Sequence, residues 1–190
     1  MKRISGYIGI VLAVAVLALF TGCSKKVETK PAGPVPGITS IPGYYEDQNL
    51  GFSIEYMKEL FSVPVDLKPG EVVSAAGSQQ VPTIVVRVED IQAGVALEDN
   101  GAALKKALKR LFPTSTRHKV VETKMIKLKG DIDANFTLMK WRYQGAIPVV
   151  SVIISTYKDG KEIRVLITST PGAPTIDEMT AIAMALKVNP

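Results

Sequence analysis

The chain has 190 residues, of which 46% are hydrophobic and 22% are charged. That charged fraction is ordinary for a folded domain and too high for a protein with many membrane spans, and the apolar runs that recur from Phe52 onward exclude disorder of the whole chain. The formal net charge of +5 hides an uneven distribution, because nine basic residues and only one acidic residue, Glu122, lie between Leu104 and Lys129.

Residues 1–22 are predicted to be an export signal. Lys2 and Arg3 give it a basic start, and an apolar or small stretch from Tyr7 to Phe20 follows and ends at Thr21-Gly22. A transmembrane helix needs about 20 apolar residues. The stretch is therefore short for a permanent spanning anchor.

Cys23, the only cysteine of the chain, directly follows this signal. The segment Leu19–Cys23 resembles the lipobox of bacterial lipoproteins, which implies that Cys23 carries acyl chains such as palmitate and becomes the new N-terminus. Two or more acyl chains give a durable membrane anchor. The absence of aspartate after Cys23 favours the outer membrane, facing the periplasm, if the organism has one. The alternative is an incidental cysteine at the end of a signal peptide.

Residues 23–43 are predicted to be a tether that starts at the lipidated cysteine. The segment contains Pro31, Pro34, Pro36 and Pro42 but no apolar periodicity. Proline without a hydrophobic face gives an extended, semi-rigid spacer. We therefore expect one folded domain, over residues 44–190.

The folded part is predicted to begin with strands. Alternating apolar and polar residues indicate half-buried strands at 52–56 and 83–88, and residues 71–78 form a weaker candidate. A helix is expected from about Asn100 to Phe112, because its apolar residues recur at helical spacing and Pro113 stops it. That apolar stripe consists of Leu104, Ala107, Leu108, Leu111 and Phe112.

Four strand-like segments and a closing helix follow. The strands span roughly residues 119–128, 133–143, 149–157 and 162–169. Asp159-Gly160 is a strong hairpin signal, and short connections imply antiparallel pairing. The closing helix is expected to open at a capping box formed by Thr175 and Glu178. The prediction is an α+β domain, with an antiparallel sheet of about six to seven strands sandwiched by helices.

The order of these elements and the segment YEDQNLGFSIEY resemble the PsbP-like fold, an α/β/α sandwich. The resemblance covers roughly Tyr44 to Val188. Members of that family mostly bind or stabilise other proteins, and they share no catalytic motif. The resemblance therefore implies a non-catalytic protein-binding or assembly domain.

Residue types that carry catalysis or bind metals are sparse. His118 is the only histidine, and neither a dinucleotide-binding nor a phosphate-binding glycine motif is present. Asp131 and Asp133 supply only a fragment of a cation-binding loop. We expect no enzymatic activity, no cofactor and no metal site, and we expect His118 in a loop or strand edge beside Arg117 and Lys119.

Basic residues occupy the predicted mid-chain helix on the side opposite its apolar stripe. They are Lys105, Lys106, Lys109 and Arg110. One interpretation is an ordinary solvated helix face, and the other is an electrostatic surface for anionic headgroups or an acidic protein. Nucleic acid is not expected as a partner, because no aromatic residues interleave the basic ones.

Two functional hypotheses follow from this pattern. The leading one is an envelope lipoprotein whose domain engages a partner protein through the basic helix. The alternative is a carrier of a small apolar or anionic ligand, held between sheet and helix. Trp141 and Tyr143 alternate along one predicted strand; we expect core packing for them, with a ligand or partner patch as the other interpretation.

Overall fold

The computed structural model describes residues 37–172 and 174–189. The predicted signal peptide, Cys23 and the tether up to residue 36 lie outside the described residues. The strands are β1 (Ile38–Ile41), β2 (Tyr44–Asp47), β3 (Phe52–Glu55), β4 (Val63–Pro64), β5 (Glu71–Ala76), β6 (Thr83–Asp90), β7 (Thr116–Leu128), β8 (Ile132–Tyr143), β9 (Ile147–Lys158), β10 (Lys161–Ser169) and β11 (Lys187–Val188). The helices are α1 (Asn100–Leu111), which a 3₁₀ turn (Leu97–Asp99) precedes, and α2 (Ile176–Ala183).

A seven-stranded antiparallel sheet forms the centre of the domain, in the order β4-β5-β6-β10-β9-β8-β7. The predicted hairpin joins β9 to β10, where Asp159 and Gly160 both have positive φ, 48° and 75°. Positive φ at both central residues is what a type I′ turn requires. The α+β class and the antiparallel sheet are thus confirmed.

A second sheet, in the order β1-β2-β3-β11, departs from the expected domain start at residue 44. Ile38–Ile41, which was assigned to the tether, pairs with Tyr44–Asp47. Pro42 does not prevent this pairing, because it lies in the connecting turn, where Gly43 has φ 87° and no ladder hydrogen bond is needed from proline. The folded part therefore includes residues that the composition had placed in a spacer.

The large sheet is covered on both faces. On one face, α2 and the small sheet enclose a core that includes Phe52, Ile54, Ile154 and Met179. On the other face α1 packs against a smaller cluster. The predicted capping box is present at the start of α2. No helix in the part of the chain that is described is long and apolar enough to cross a bilayer.

Candidate functional site

Helix α1 presents a cationic face to solvent. Leu104 and Leu108, 1% and 2% exposed, point into the core, and the helical period places Lys105, Lys106 and Lys109 away from it. These three lysines, which we call the α1 cationic face, are exposed, and no acidic side chain of the described residues pairs with them. Arg110 belongs to the predicted set, but its side chain lies outside the described part of the chain.

His118 links α1 to the beginning of β7. Its ring is stacked on Trp141 with centroids 6.1 Å apart, and Trp141 in turn lies 5.0 Å from Phe112 at the end of α1. Ser115 donates its hydroxyl proton to the Phe112 carbonyl, so Nε2 of His118 donates to Ser115 Oγ at 2.9 Å. Trp141 is 4% exposed and donates to Ser151. The core position expected for Trp141 is confirmed, whereas the same expectation for Tyr143 is wrong, because Tyr143 is the last residue of β8 and is exposed there.

The α1 lysines act electrostatically on His118. Burial lowers the pKa of His118 below its usual 6.5, and the positive charges of Lys105 and Lys109 lower it further. The imidazole is therefore largely uncharged at pH 7.

Four basic side chains line a cleft on the opposite face of the large sheet, beside the first turn of α2. The cleft has a volume of about 770 Å³, and we call it the cationic cleft; its basic residues are Arg117, Lys119, Lys140 and Arg142. Asp177 is the one acidic residue among the described residues that line it. None of the four cations makes an ion pair within the described ranges, although Arg142 donates to the Ala146 carbonyl at 3.0 Å.

A β-bulge positions the two cations that come from β7. The register shifts between Thr116 and Lys119, and Arg117 within the bulge has φ 55°. Such a positive φ is uncommon for a residue with a side chain, and bulges redirect side chains at sheet edges. Beyond the bulge, Lys119 lies directly opposite Lys140.

A second pair of opposed cations lies elsewhere in the same sheet and is compensated by acidic side chains. Arg87 of β6 lies directly opposite Arg164 of β10. Arg87 contacts Glu71 at 3.2 Å and Glu89 at 2.7 Å, and Arg164 contacts Glu162 at 2.6 Å. Glutamates therefore compensate the arginine pair, whereas no carboxylate contacts Lys119 or Lys140 in the described residues.

Two further lysines of the basic segment are paired with acids within the domain. Lys124 pairs with Glu122 at 2.7 Å. Lys127 contacts Asp133 at 3.0 Å and Asp131 at 3.6 Å, so the two aspartates of the cation-loop fragment hold a lysine. No group of three or more metal-ligating side chains occurs among residues 37–172 and 174–189.

Sequence reasoning did not predict the cationic cleft, because Arg117 and Lys119 stand out only as members of the basic run that flanks His118. Lys140 and Arg142 were not singled out, because they lie in β8, outside the run of basic residues. The signal that could have found them is their alternation, which places both on one face of a strand, next to the predicted strand 119–128, which begins with Lys119.

The chain is similar in structure to the cyanobacterial PsbP protein from Synechocystis. That solution structure matches with a TM-score of 0.58 and 15% sequence identity, over 84% of this chain and 99% of that one. A protein of unknown function from Pseudomonas aeruginosa matches over 47% of this chain and 59% of that one at 14% identity, but a TM-score of 0.38 is too low to indicate a shared fold. No protein-family model matches the sequence, and no curated protein does. The predicted PsbP-like fold is confirmed, and the likeness concerns the fold alone.

Proposed function

We propose that this protein is a cell-envelope lipoprotein, anchored by acyl chains on Cys23, whose PsbP-like domain binds and stabilises an acidic protein without catalysing a reaction. The observation that carries the proposal is the α1 cationic face, which has three exposed lysines and no compensating acid in the described residues.

The distribution of ion pairs supports a role for that face. Among the described residues, the cations that pair with acids are Arg87, Lys124, Lys127, Lys161 and Arg164. The α1 lysines keep their full charge and face solvent. Their positive electrostatic potentials add within a Debye length of about 8 Å. Such a patch accelerates encounter with a surface of opposite charge and disfavours wrong partners.

A membrane anchor would add to this weak electrostatic recognition. A lipid anchor confines the domain to the surface where a membrane-bound partner lies, which raises the effective concentration of each for the other. Individual exposed contacts are each worth only about 0–1 kcal/mol, so confinement and several simultaneous contacts together make the interaction useful. Lipidation would thereby strengthen partner binding.

A charge-reversal pull-down tests the proposal. The test variant of the full-length lipoprotein carries Lys105→Glu, Lys106→Glu, Lys109→Glu and Arg110→Glu. The matched control has the same change in net charge on exposed lysines elsewhere: Lys58→Glu, Lys68→Glu, Lys129→Glu and Lys187→Glu. We expect the test variant to lose an acidic partner protein that the wild type and the control recover.

Two results would contradict it. Unchanged recovery of the partner protein by the test variant would show that the partner does not bind through α1. Salt-sensitive binding to phosphatidylglycerol vesicles, lost in the test variant without loss of any protein, would assign the face to lipid headgroups. Circular dichroism of each variant establishes that it is folded.

A carrier of a ligand held between sheet and helix is the second candidate function. Beneath the middle of α1, Leu104, Leu108 and Met139 are fully packed, and the cleft beside the first turns of α1 is only about 380 Å³. The cationic cleft beside α2 offers the space that a carrier needs. Native mass spectrometry of the purified lipoprotein tests this candidate by detecting a retained small molecule.

A further inference from the structure

We propose that the cationic cleft binds a small amphiphilic anion, a carboxylate or phosphate joined to an apolar body. The proposal gives the carrier hypothesis its site and its ligand class, and it rests on that second candidate function alone. It is independent of the protein-binding role of α1, because the cleft and the α1 cationic face lie on opposite faces of the large sheet.

The anionic head is argued from charge that the domain leaves uncompensated. Lys119 and Lys140 are direct cross-strand partners, and like charges in that position destabilise a sheet. Arg117 and Arg142 add guanidinium groups, whose planar forks match carboxylate and phosphate oxygens. An anion bound between the two lysine side chains would relieve their repulsion, as the glutamates do for Arg87 and Arg164.

The apolar body is argued from the other wall of the cleft. Val150 and Met179 belong to the buried core, and Pro148 and Ile176 line the cleft beside them, with Ile176 37% exposed. An inorganic anion alone would leave this wall in contact with water. A volume of about 770 Å³ lies within the range of small-molecule sites. The combination of a cationic wall and an apolar wall suits a ligand with both characters.

Titration calorimetry with hexyl phosphate tests the proposal. The full-length lipoprotein is held in phosphatidylcholine nanodiscs, and empty nanodiscs correct for partition of the probe. We expect saturable binding that falls at least about tenfold in the double variant K119Q/K140Q, because charge-assisted hydrogen bonds to the head are lost. The matched double variant K58Q/K187Q should bind as the wild type does.

Two further arms test each half of the ligand. Inorganic phosphate should bind more weakly than hexyl phosphate, and I176S should weaken hexyl phosphate while leaving inorganic phosphate unchanged. Hexyltrimethylammonium, which has the same chain and the opposite charge, should not bind.

Three results would overturn the proposal: equal binding by the wild type and K119Q/K140Q, equal binding of hexyl and inorganic phosphate, or binding of the ammonium probe. Reversal of charge on α1 should leave hexyl phosphate binding intact. Binding of hexyl phosphate therefore tests the cationic cleft alone, and recovery of the acidic protein tests the α1 cationic face alone.

Discussion

Lys119 and Lys140 lie directly opposite each other across the β7–β8 pair, and no carboxylate of the described residues contacts either one. Arg87 and Arg164 have the same relationship across β6 and β10, but glutamates surround them. One sheet thus contains a compensated and an uncompensated pair of like charges. The difference is the main structural reason for assigning an external anion to the cationic cleft.

Removal of one charge from the uncompensated pair should stabilise the domain. Repulsion between directly opposed like charges costs roughly 0.2–1 kcal/mol, and solvent exposure of both lysines places the cost toward the lower end. We expect Lys119→Gln to raise the free energy of unfolding in urea by a few tenths of a kcal/mol at low salt, and less at high salt. Lys187→Gln, in β11, should change nothing; a lower stability of Lys119→Gln would mean that the pair is not repulsive.

Removal of Glu162, one of the acids that compensate the arginine pair, should destabilise the domain. Glu162 accepts two hydrogen bonds from Arg164, at 3.1 and 2.6 Å, and one from Asn100 at 2.7 Å. Breaking a buried ion pair from one side typically costs about 3–5 kcal/mol where the remaining charge is left uncompensated. Arg164 would keep a second carboxylate, Glu89 at 3.6 Å, so we expect a loss toward the lower end of that range for Glu162→Ala in urea unfolding.

The control for Glu162 is an ion pair of the same sheet that is open to solvent. Glu122 pairs with Lys124, and both side chains are exposed. Exposed pairs are worth about 0–1 kcal/mol, so Glu122→Ala should lower the free energy of unfolding by no more than that. Similar losses in the two variants would contradict the assignment of Glu162 to a buried network.

Much of the fold was predictable because its signals are local. The buried Leu104 and Leu108 of the α1 stripe, the Asp159-Gly160 hairpin and the capping box at Thr175 each lie within one or two turns of chain, and each is confirmed. Strands β4 and β11 have only two residues each. A pair of residues is too short for a period-2 pattern, so these strands depend on partners that are distant in sequence.

The cationic cleft was not predictable, for a related reason. Arg117 and Lys119 belong to a conspicuous run of basic residues, whereas Lys140 and Arg142 acquire meaning only from the β7–β8 register. A bulge sets that register at the start of β7, and bulges depend on pairing rather than on composition. The α1 cationic face, by contrast, follows directly from helical spacing.

The pKa of His118 reports whether the α1 lysines act where the structure places them. Burial lowers this pKa first, and Lys105 and Lys109 lower it further. We expect the double variant K105Q/K109Q to raise the pKa of His118 toward 6.5 without reaching it, as measured by NMR titration of the imidazole protons. K58Q/K187Q should leave it in place, and an unchanged pKa in K105Q/K109Q would show that the lysines do not reach His118.

The same shift has a consequence for stability. Because the folded state holds the pKa of His118 below the unfolded value, the unfolded chain takes up a proton first as the pH falls. The contribution of neutral His118 is therefore complete above pH 6.5 and is lost as the pH falls through that value toward the folded pKa. His118→Gln should flatten the dependence of unfolding free energy on pH in that window.

Lipidation is tested by replacing the sulfur atom of Cys23. In the proposed lipoprotein the Cys23 sulfur carries the anchor, so Cys23→Ser should abolish acylation and release the protein from membranes. Intact-mass analysis of the wild type should give a mature chain that starts at an acylated Cys23. A wild-type chain that keeps Met1, or that is shed without acyl groups, would contradict the proposal.

The most direct test of the central claim, that the α1 cationic face contacts an acidic protein, is site-specific photo-crosslinking in living cells of the source organism. A photoreactive residue replaces Lys106 on α1 in one variant and Lys187 on β11 in the other, both exposed positions. The account predicts one discrete adduct with an acidic envelope protein from position 106 and none from position 187. No adduct from either position, or the same adduct from both, would contradict it.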